Sequence, residues 1–205
     1  MGSEPHHQEG WIGASLLRKE DAKHLNGHAI FVADVRLPGM QDIAFVRSPV
    51  AHGLLKRITK PSGDEKNVYT IDDFPDLNVL DAGPELEAFR QTPYPALASK
   101  KVRYVGQAIA ACVAANRAKA EDLCERIELD YEELPAVVDA VEAMAPTSAK
   151  LFEHWPDNAY ITRTISAGDL DALKTAPVRV PCKFRMNRQA TVSMETRGCV
   201  AYWDK

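Results

Sequence analysis

Residues 102–131 read VRYVGQAIAACVAANRAKAEDLCERIELDY and contain the strongest secondary-structure signals in the chain. Strand-forming residues occupy positions 102–105, and Gly106-Gln107 predicts a turn directly after them. The apolar run at 108–114 has the length of a strand that is buried on both faces. These signals predict two consecutive strands.

A helix and a further strand follow within the same stretch. Asn116 can accept hydrogen bonds from the first free backbone amides of a helix, so it predicts a helix start at Arg117. Residues 117–126 carry Ala120 and Leu123 on one face, and residues 127–131 alternate as a strand does. The whole stretch predicts a strand, strand, helix, strand unit joined by a right-handed crossover.

Weaker patterns flank this unit on both sides. Turn residues and prolines divide the chain into short elements, and the prolines within 81–98 favour a surface excursion with at most one helical turn. Residues 140–146 predict a linker. The patterns predict short helices near 19–25 and 168–173, and strands at 42–47, 53–59, 67–71, 160–165, 178–186 and 200–202.

Composition indicates a soluble globular protein. The 205 residues are 45% hydrophobic with a net charge of −4, and acidic and basic residues are interspersed, so neither a nucleic-acid nor a membrane partner is predicted. The small basic cluster of Lys100, Lys101 and Arg103 is interpreted as solvated charge. Residues 1–10 are polar, indicate a flexible leader rather than a secretory signal, and predict a cytoplasmic protein.

The four cysteines do not predict a metal or iron–sulfur site. Cys112, Cys124, Cys182 and Cys199 form no Cys-x-x-Cys pair and have no histidine at ligand spacing. They are interpreted as buried free thiols in a reducing compartment.

Several motifs follow one another along the chain. They are Trp11-Ile12-Gly13 with Arg18, Glu20-Asp21 and Gly27, the segments at 34–40, 45–49, 102–107 and 130–135, Gly168-Asp169, and the tail at 188–205. In their order and spacing from about Trp11 to Lys205, these motifs resemble the molybdenum-binding large subunit of the xanthine dehydrogenase, aldehyde oxidase and carbon monoxide dehydrogenase family.

The resemblance implies an α+β fold. Residues 11–140 would form the α/β hammerhead domain, a mixed sheet with packed helices, and residues 141–205 a linker and the first strands of the molybdenum-cofactor-binding domain. The glycine-rich segments that hold the pterin dinucleotide and the general-base glutamate of the family lie outside the resemblance. The chain is therefore not expected to be active in isolation.

Gln189 is the one site residue that the resemblance assigns. In the family, a glutamine at this position donates a hydrogen bond from its amide to an oxo ligand of molybdenum, so Gln189 is predicted to be catalytic and cofactor-binding. A neutral amide can orient an oxo group without competing as a metal ligand. Without the resemblance, Gln189 would be interpreted as a polar residue at a strand end.

Other candidate residues receive structural interpretations. Glu195 and Arg197 are two residues apart and are expected to form an ion pair. His52 is expected to pack or cap a loop, because no second catalytic group stands at a recognisable spacing. His154-Trp155-Pro156 is expected to be a loop anchored by its aromatic ring, and His6 and His7 indicate no site.

Two functions remain open at this point. The chain would be part of a molybdenum hydroxylase, an oxidoreductase sharing its molybdopterin dinucleotide with the carboxy-terminal half of the molybdenum subunit and working with iron–sulfur ([2Fe-2S]) and flavin (FAD) subunits. Alternatively, it would be a non-catalytic hammerhead interaction module. A small hydrolase is set aside because no Gly-x-Ser-x-Gly elbow is present.

Overall fold

A computed structural model describes residues 12–13, 15–81 and 89–204 of the chain. The predicted leader at 1–10, with His6 and His7, lies outside the described residues, as do Trp11 and residues 82–88 of the predicted excursion. The chain divides into two compact units, residues 39–180 and residues 1–38 with 181–205.

Among the described residues, eight strands and two of three α-helices belong to the larger unit. In chain order the α-helices and strands are α1 (Asp21–Leu25), β1 (Asp42–Arg47), β2 (Gly53–Thr59), β3 (Val68–Tyr69), β4 (Leu80–Asp81), β5 (Pro93–Tyr94), β6 (Lys101–Val102), β7 (Ala108–Ala114), α2 (Arg117–Glu125), β8 (Glu128–Glu133) and α3 (Leu170–Thr175). Short 3-10 helices lie at Val32–Asp34, Glu65–Asn67, Ile71–Asp73 and Glu142–Met144.

The strands of this unit form separate antiparallel sheets. The first sheet has the order β1-β7-β3, the second has the order β6-β2-β8, and β4 pairs with β5. Helix α2 packs on β1 and β7 of the first sheet. An α+β fold is confirmed, and the predicted bounds of β1, β2 and β7 agree with the structure residue for residue.

The predicted right-handed crossover is wrong. That connection requires two parallel strands in one sheet, whereas β7 lies in the first sheet and β8 lies in the second, where it pairs antiparallel with β2. Helix α2 therefore carries the chain from one sheet to the other. The predicted turn at Gly106 is confirmed, since its φ of 87° is a conformation that glycine adopts most readily.

Two clusters of buried side chains form the core of the larger unit. The first includes Val68, Cys112 and Leu123, and the second includes Val102 and Ile109. Ile58 of β2 and Leu129 of β8 pack against both clusters and so join the two sheets.

Helix α2 begins where the sequence predicts. The Asn116 side chain accepts a hydrogen bond from the Lys119 backbone N–H at 3.0 Å, which satisfies one of the free amides of the first turn. Ala120 and Leu123 are its buried residues. No helix in the described part of the chain has the length and apolar character that a membrane span needs.

Three predicted strands are absent. Residues 160–165 form only an isolated bridge between Phe89 and Ile161, and residues 178–186 and 200–202 contain no strand. The predicted helix near 168–173 is confirmed as α3, whose amino terminus is capped by Asp169.

Candidate functional site

Gln189 lies in a stretch without helix or strand that runs from residue 176 to residue 204. Its side chain is exposed, and none of the described contacts engages its amide. A free amide offers two N–H donors and a carbonyl acceptor. Gln189 can therefore hydrogen-bond to a polar ligand atom without first breaking an internal contact.

A separate contact holds the stretch that follows Gln189 against residues near position 32. The Val32 backbone N–H donates to Oε1 of Glu195 at 3.0 Å, across 163 positions of sequence. A Cβ added at Gly198 would lie 2.9 Å from Cγ1 of Val32, so this close approach requires glycine. Glu195 is used here to bind a backbone amide, and the predicted ion pair with Arg197 is not among the described contacts.

The described residues contain no cluster of metal-ligating side chains. No group of three or more His, Cys, Asp and Glu side chains within residues 12–13, 15–81 and 89–204 lies close enough to hold an ion. The exposed amide of Gln189 fits a polar ligand atom.

The basic cluster near residue 101 is solvated only in part: Lys100 is exposed, as predicted, whereas Lys101 and Arg103 are not. Lys101 is only 9% exposed, and its Nζ donates to Oε1 of Glu153. Arg103 donates from Nε to the Leu151 carbonyl at 3.0 Å, and its guanidinium lies 4.5 Å from the centre of the Phe152 ring. Both cations hold the segment at 151–158 in place.

These contacts change the ionisation of the groups involved. A hydrogen bond from the Lys101 ammonium lowers the pKa of Glu153 below its ordinary value. Burial lowers the pKa of Arg103, which nevertheless remains a cation at neutral pH. The sequence signal that could have revealed this network is the pair of carboxylates, Glu153 and Asp157, within a turn-rich segment.

Trp155 anchors the same segment, as predicted for the loop at 154–156. Its ring is buried and stacks on Phe152 with centroids 4.4 Å apart. Arg90 pairs with Asp157 and also places its guanidinium 5.6 Å from the Trp155 ring. The interpretation of this segment as a structural anchor is confirmed.

His52 has the packing role that was expected of it. Its Nδ1 lies 2.8 Å from the Pro135 carbonyl, so this nitrogen carries the proton and donates it. The Leu134 N–H donates to the His52 carbonyl at 2.9 Å. The buried Nε2 has no hydrogen-bond partner among the described residues. The hydrogen bonds to Pro135 and from Leu134 fix the chain where it leaves β8.

Only part of the thiol prediction is confirmed. Cys112 is buried, Cys124 is partly buried, and all four cysteines are free. Burial raises the pKa of the Cys112 thiol to about 12, and the adjoining Cys124 thiol adds to this effect. Cys182 and Cys199 are exposed, because the strands predicted around them do not form.

A shallow groove of about 330 Å³ lies in the larger unit. Its lining is mostly apolar and includes Phe74, Leu77 and Pro95, with Asp72 and Ser99 among its polar residues. Among the described lining residues, Asp72 has no second ionisable side chain beside it for acid–base chemistry.

Comparison with known proteins identifies the domain. The α/β hammerhead domain of aldehyde oxidase and xanthine dehydrogenase matches residues 26–135, which is more than half of the chain.

Two relatives align with nearly all of this chain. The nicotine 6-hydroxylase large subunit of Paenarthrobacter nicotinovorans is 34% identical over 199 residues, covering 94% of this chain and 24% of the relative. The carbon monoxide dehydrogenase large chain of Hydrogenophaga pseudoflava is 32% identical over 204 residues, covering 91% of this chain and 25% of the relative. The chain therefore spans about a quarter of the length of these relatives.

Solved structures give the same fold. The aldehyde oxidoreductase from Desulfovibrio desulfuricans superposes with a TM-score of 0.63 at 27% identity, over 70% of this chain and 17% of that one. The quinoline 2-oxidoreductase from Pseudomonas putida 86 superposes with a TM-score of 0.57 at 37% identity, over 64% of this chain and 17% of that one.

Proposed function

Because the chain belongs to the aldehyde oxidase and xanthine dehydrogenase family through its α/β hammerhead domain, we propose that it forms part of a molybdenum hydroxylase large subunit. In this role it contributes the hammerhead domain and one wall of the molybdenum site. The match over residues 26–135 is the observation that carries the proposal. Residues 11–140 are assigned to the hammerhead domain, and residues 141–205 to a linker and the start of the cofactor-binding domain.

Gln189 is the proposed contact to the cofactor. Similarity to the nicotine 6-hydroxylase large subunit covers 94% of this chain, so it extends through the stretch that contains Gln189. The exposed, neutral amide supports a hydrogen bond to a polar atom of the cofactor, which its N–H groups would donate. When bound, the molybdenum cofactor would supply two-electron oxidation of a substrate carbon.

The proposed partners follow from the same role. The remaining cofactor contacts would come from the rest of the large subunit, and electrons would leave through iron–sulfur and flavin subunits. The chain would have no turnover in isolation. The protein is proposed to act in the cytoplasm.

The proposal is tested in the assembled enzyme. A tagged form of the chain is produced in its source organism together with the rest of the large subunit, and the purified complex is analysed for molybdenum and for substrate oxidation with an electron-accepting dye. Gln189→Ala should lower turnover by roughly 10- to 100-fold while the molybdenum content stays the same, as is typical when a group that orients a metal-bound ligand is lost.

Asn187→Ala is the matched control, because it removes an exposed amide two residues away on the same stretch. It should leave turnover unchanged. Equal turnover in the Gln189 variant and the wild type would overturn the assignment of Gln189. A complex that never contains molybdenum would instead favour the non-catalytic interaction module.

A further inference from the structure

Two of the four cysteines meet where α2 packs on the first sheet. Cys112 lies on β7, the central strand of that sheet, and Cys124 lies on α2. The two thiols hydrogen-bond to each other, and Cys124 packs against the buried cluster that contains Cys112. Their sulfur atoms are therefore neighbours, although the residues belong to different elements.

Small side chains surround this contact. Ala44 of β1 lies directly across from Cys112 in the register of the sheet. Ala110 shares a face of β7 with Cys112, and Ala120 precedes Cys124 by one turn of α2. All three alanines are at most 2% exposed. Small residues on both sides let the helix approach the sheet closely, which is what a disulfide between the two elements requires.

The apolar surroundings of the pair favour a neutral product of oxidation. The cluster around Cys112 consists of apolar side chains, among them Val68, Leu123 and Ile127. Burial there raises the pKa of the Cys112 thiol to about 12, because a thiolate is poorly solvated at this position. A sulfinate would also place a charge in the core, whereas a disulfide carries none.

We propose that Cys112 and Cys124 form a reversible disulfide when the protein meets hydrogen peroxide, and that this bond fastens α2 to the first sheet. In a reducing compartment the pair stays a dithiol, which is its state in the structure. The inference concerns the fold of the sheet region and does not depend on the molybdenum site.

The exposure of the two thiols sets the order of the steps. Cys124 is partly exposed, whereas Cys112 is completely buried. Cys124 therefore reacts first, and its sulfur takes one oxygen atom from hydrogen peroxide, which gives a sulfenic acid and one molecule of water.

Cys112 then completes the bond. Its sulfur attacks the sulfur of the Cys124 sulfenic acid, so that the S–S bond forms as the S–O bond breaks, and the Cys112 proton leaves with the hydroxide as a second water. The two electrons that the thiols lose reduce the single peroxide molecule. A high pKa makes the Cys112 thiolate scarce but more nucleophilic, and the closeness of the two sulfur atoms favours the intramolecular step.

The test uses the full chain with Cys182→Ser and Cys199→Ser, so that only the pair can react. The matched control carries Cys124→Ser in addition. Hydrogen peroxide is added to the folded protein, the remaining thiols are blocked, and tryptic peptides are analysed by mass spectrometry. Trypsin cuts at Arg117 and Lys119, so it separates the two cysteines unless a disulfide joins them.

Most of the protein that retains the pair should contain the joined peptides, and dithiothreitol should restore both thiols. The joined form should have a thermal midpoint at least about 5 °C above that of the reduced form, because the bond restricts the unfolded chain. Peroxide should leave the thermal midpoint of the control unchanged, which also accounts for oxidation of exposed methionines.

Three results would overturn the proposal. The first is oxidation that stops at Cys124 while Cys112 stays a free thiol, and the second is a pair that resists peroxide in the folded protein. The third is a joined form whose thermal midpoint is no higher than that of the reduced protein, because the bond would then not fasten the helix. None of these results bears on the proposed function, which is decided by the molybdenum content and turnover of the assembled enzyme.

Discussion

The sheet region at 39–160 and the C-terminal stretch at 161–204 are both rich in apolar residues, yet only the first buries them. In the stretch every residue except Ala176 is exposed. In the sheet region the strands pair and enclose Val68, Val102 and Ile109 almost completely. Apolar content is therefore not what separates the two regions. The two regions differ in whether each strand-like segment has the edge of a neighbouring strand to pair with.

Strand β1 shows this most directly. Residues 43–46 are all apolar, yet in β1 burial alternates, with Ala44 and Val46 buried and Ile43, Phe45 and Arg47 exposed. β1 pairs with β7 along its whole length. Residues 182–187 alternate apolar and polar side chains more regularly than β1 does, but they have no partner strand among the described residues. A period of two therefore specifies the faces of a strand, and a second edge is needed for the strand to form.

The largest expected contrast comes from one tryptophan in each region. Trp155→Ala should lower the free energy of unfolding by about 3 kcal/mol, because it empties a buried ring site that Phe152 and Arg90 line. Trp203 is 83% exposed, so Trp203→Ala should change the free energy of unfolding by less than about 0.5 kcal/mol. Urea denaturation of both variants measures the difference, and similar losses in the two would contradict the division into regions.

How far the sequence predicts this fold depends on the range of the interaction concerned. The bounds of β1, β2 and β7 and the cap at Asn116 follow from local patterns, and they are confirmed. The assignment of β7 and β8 to separate sheets depends on which edges meet in space, so the predicted crossover was wrong. The strands predicted at 178–186 and 200–202 fail for the same reason, since alternation alone supplies no partner edge.

Local sequence patterns also fail to predict contacts between residues that are far apart in the chain. Lys101 was interpreted as solvated because its partner, Glu153, lies 52 residues further along the chain. Glu195 binds the Val32 amide across an even greater separation, which no local pattern announces. Gln189 stays a prediction, because its role depends on atoms that the described residues do not include.

Two helix caps give a smaller contrast. Asn116→Ala removes the cap of α2, which packs on the first sheet through Ala120 and Leu123, and should lower the free energy of unfolding by about 1 kcal/mol. Asp169→Ala removes the cap of α3, which has no buried residue. That change should leave global unfolding unaltered, because α3 can fray without disturbing the core. A comparable loss in both variants would mean that α3 is coupled to the sheets.

Two ion pairs give a contrast that depends on pH. The hydrogen bond from Lys101 lowers the pKa of Glu153, so the pair stabilises the fold above the unfolded value near 4.5 and the gain is lost as pH falls through the folded value. Glu153→Gln should lower the free energy of unfolding at pH 7 by less than about 1 kcal/mol, because most of the Glu153 side chain is in solvent.

The difference between this variant and the wild type should shrink as the pH falls below about 4.5 and Glu153 takes up its proton in the folded state. Asp171→Asn is the matched change in the C-terminal stretch, where Asp171 pairs with Lys174 and both side chains are largely exposed. It should have no measurable effect at either pH. A difference for Glu153→Gln that is constant from pH 7 to pH 3 would show that the charge of Glu153 does not contribute.

The rate of alkylation should distinguish the cysteines of the sheet region from those of the C-terminal stretch. Alkylation itself should not change the stability of the protein. Only the thiolate reacts with iodoacetamide, and burial raises the pKa of Cys112 to about 12, so Cys112 should stay unmodified at pH 8. Cys182 and Cys199 are exposed and should react first, which peptide mass spectrometry can follow. In urea all of them should react, and the modified native protein should keep its thermal midpoint. Reaction of Cys112 at the rate of Cys182 would mean that the core around β7 opens as readily as the stretch that has no partner strand.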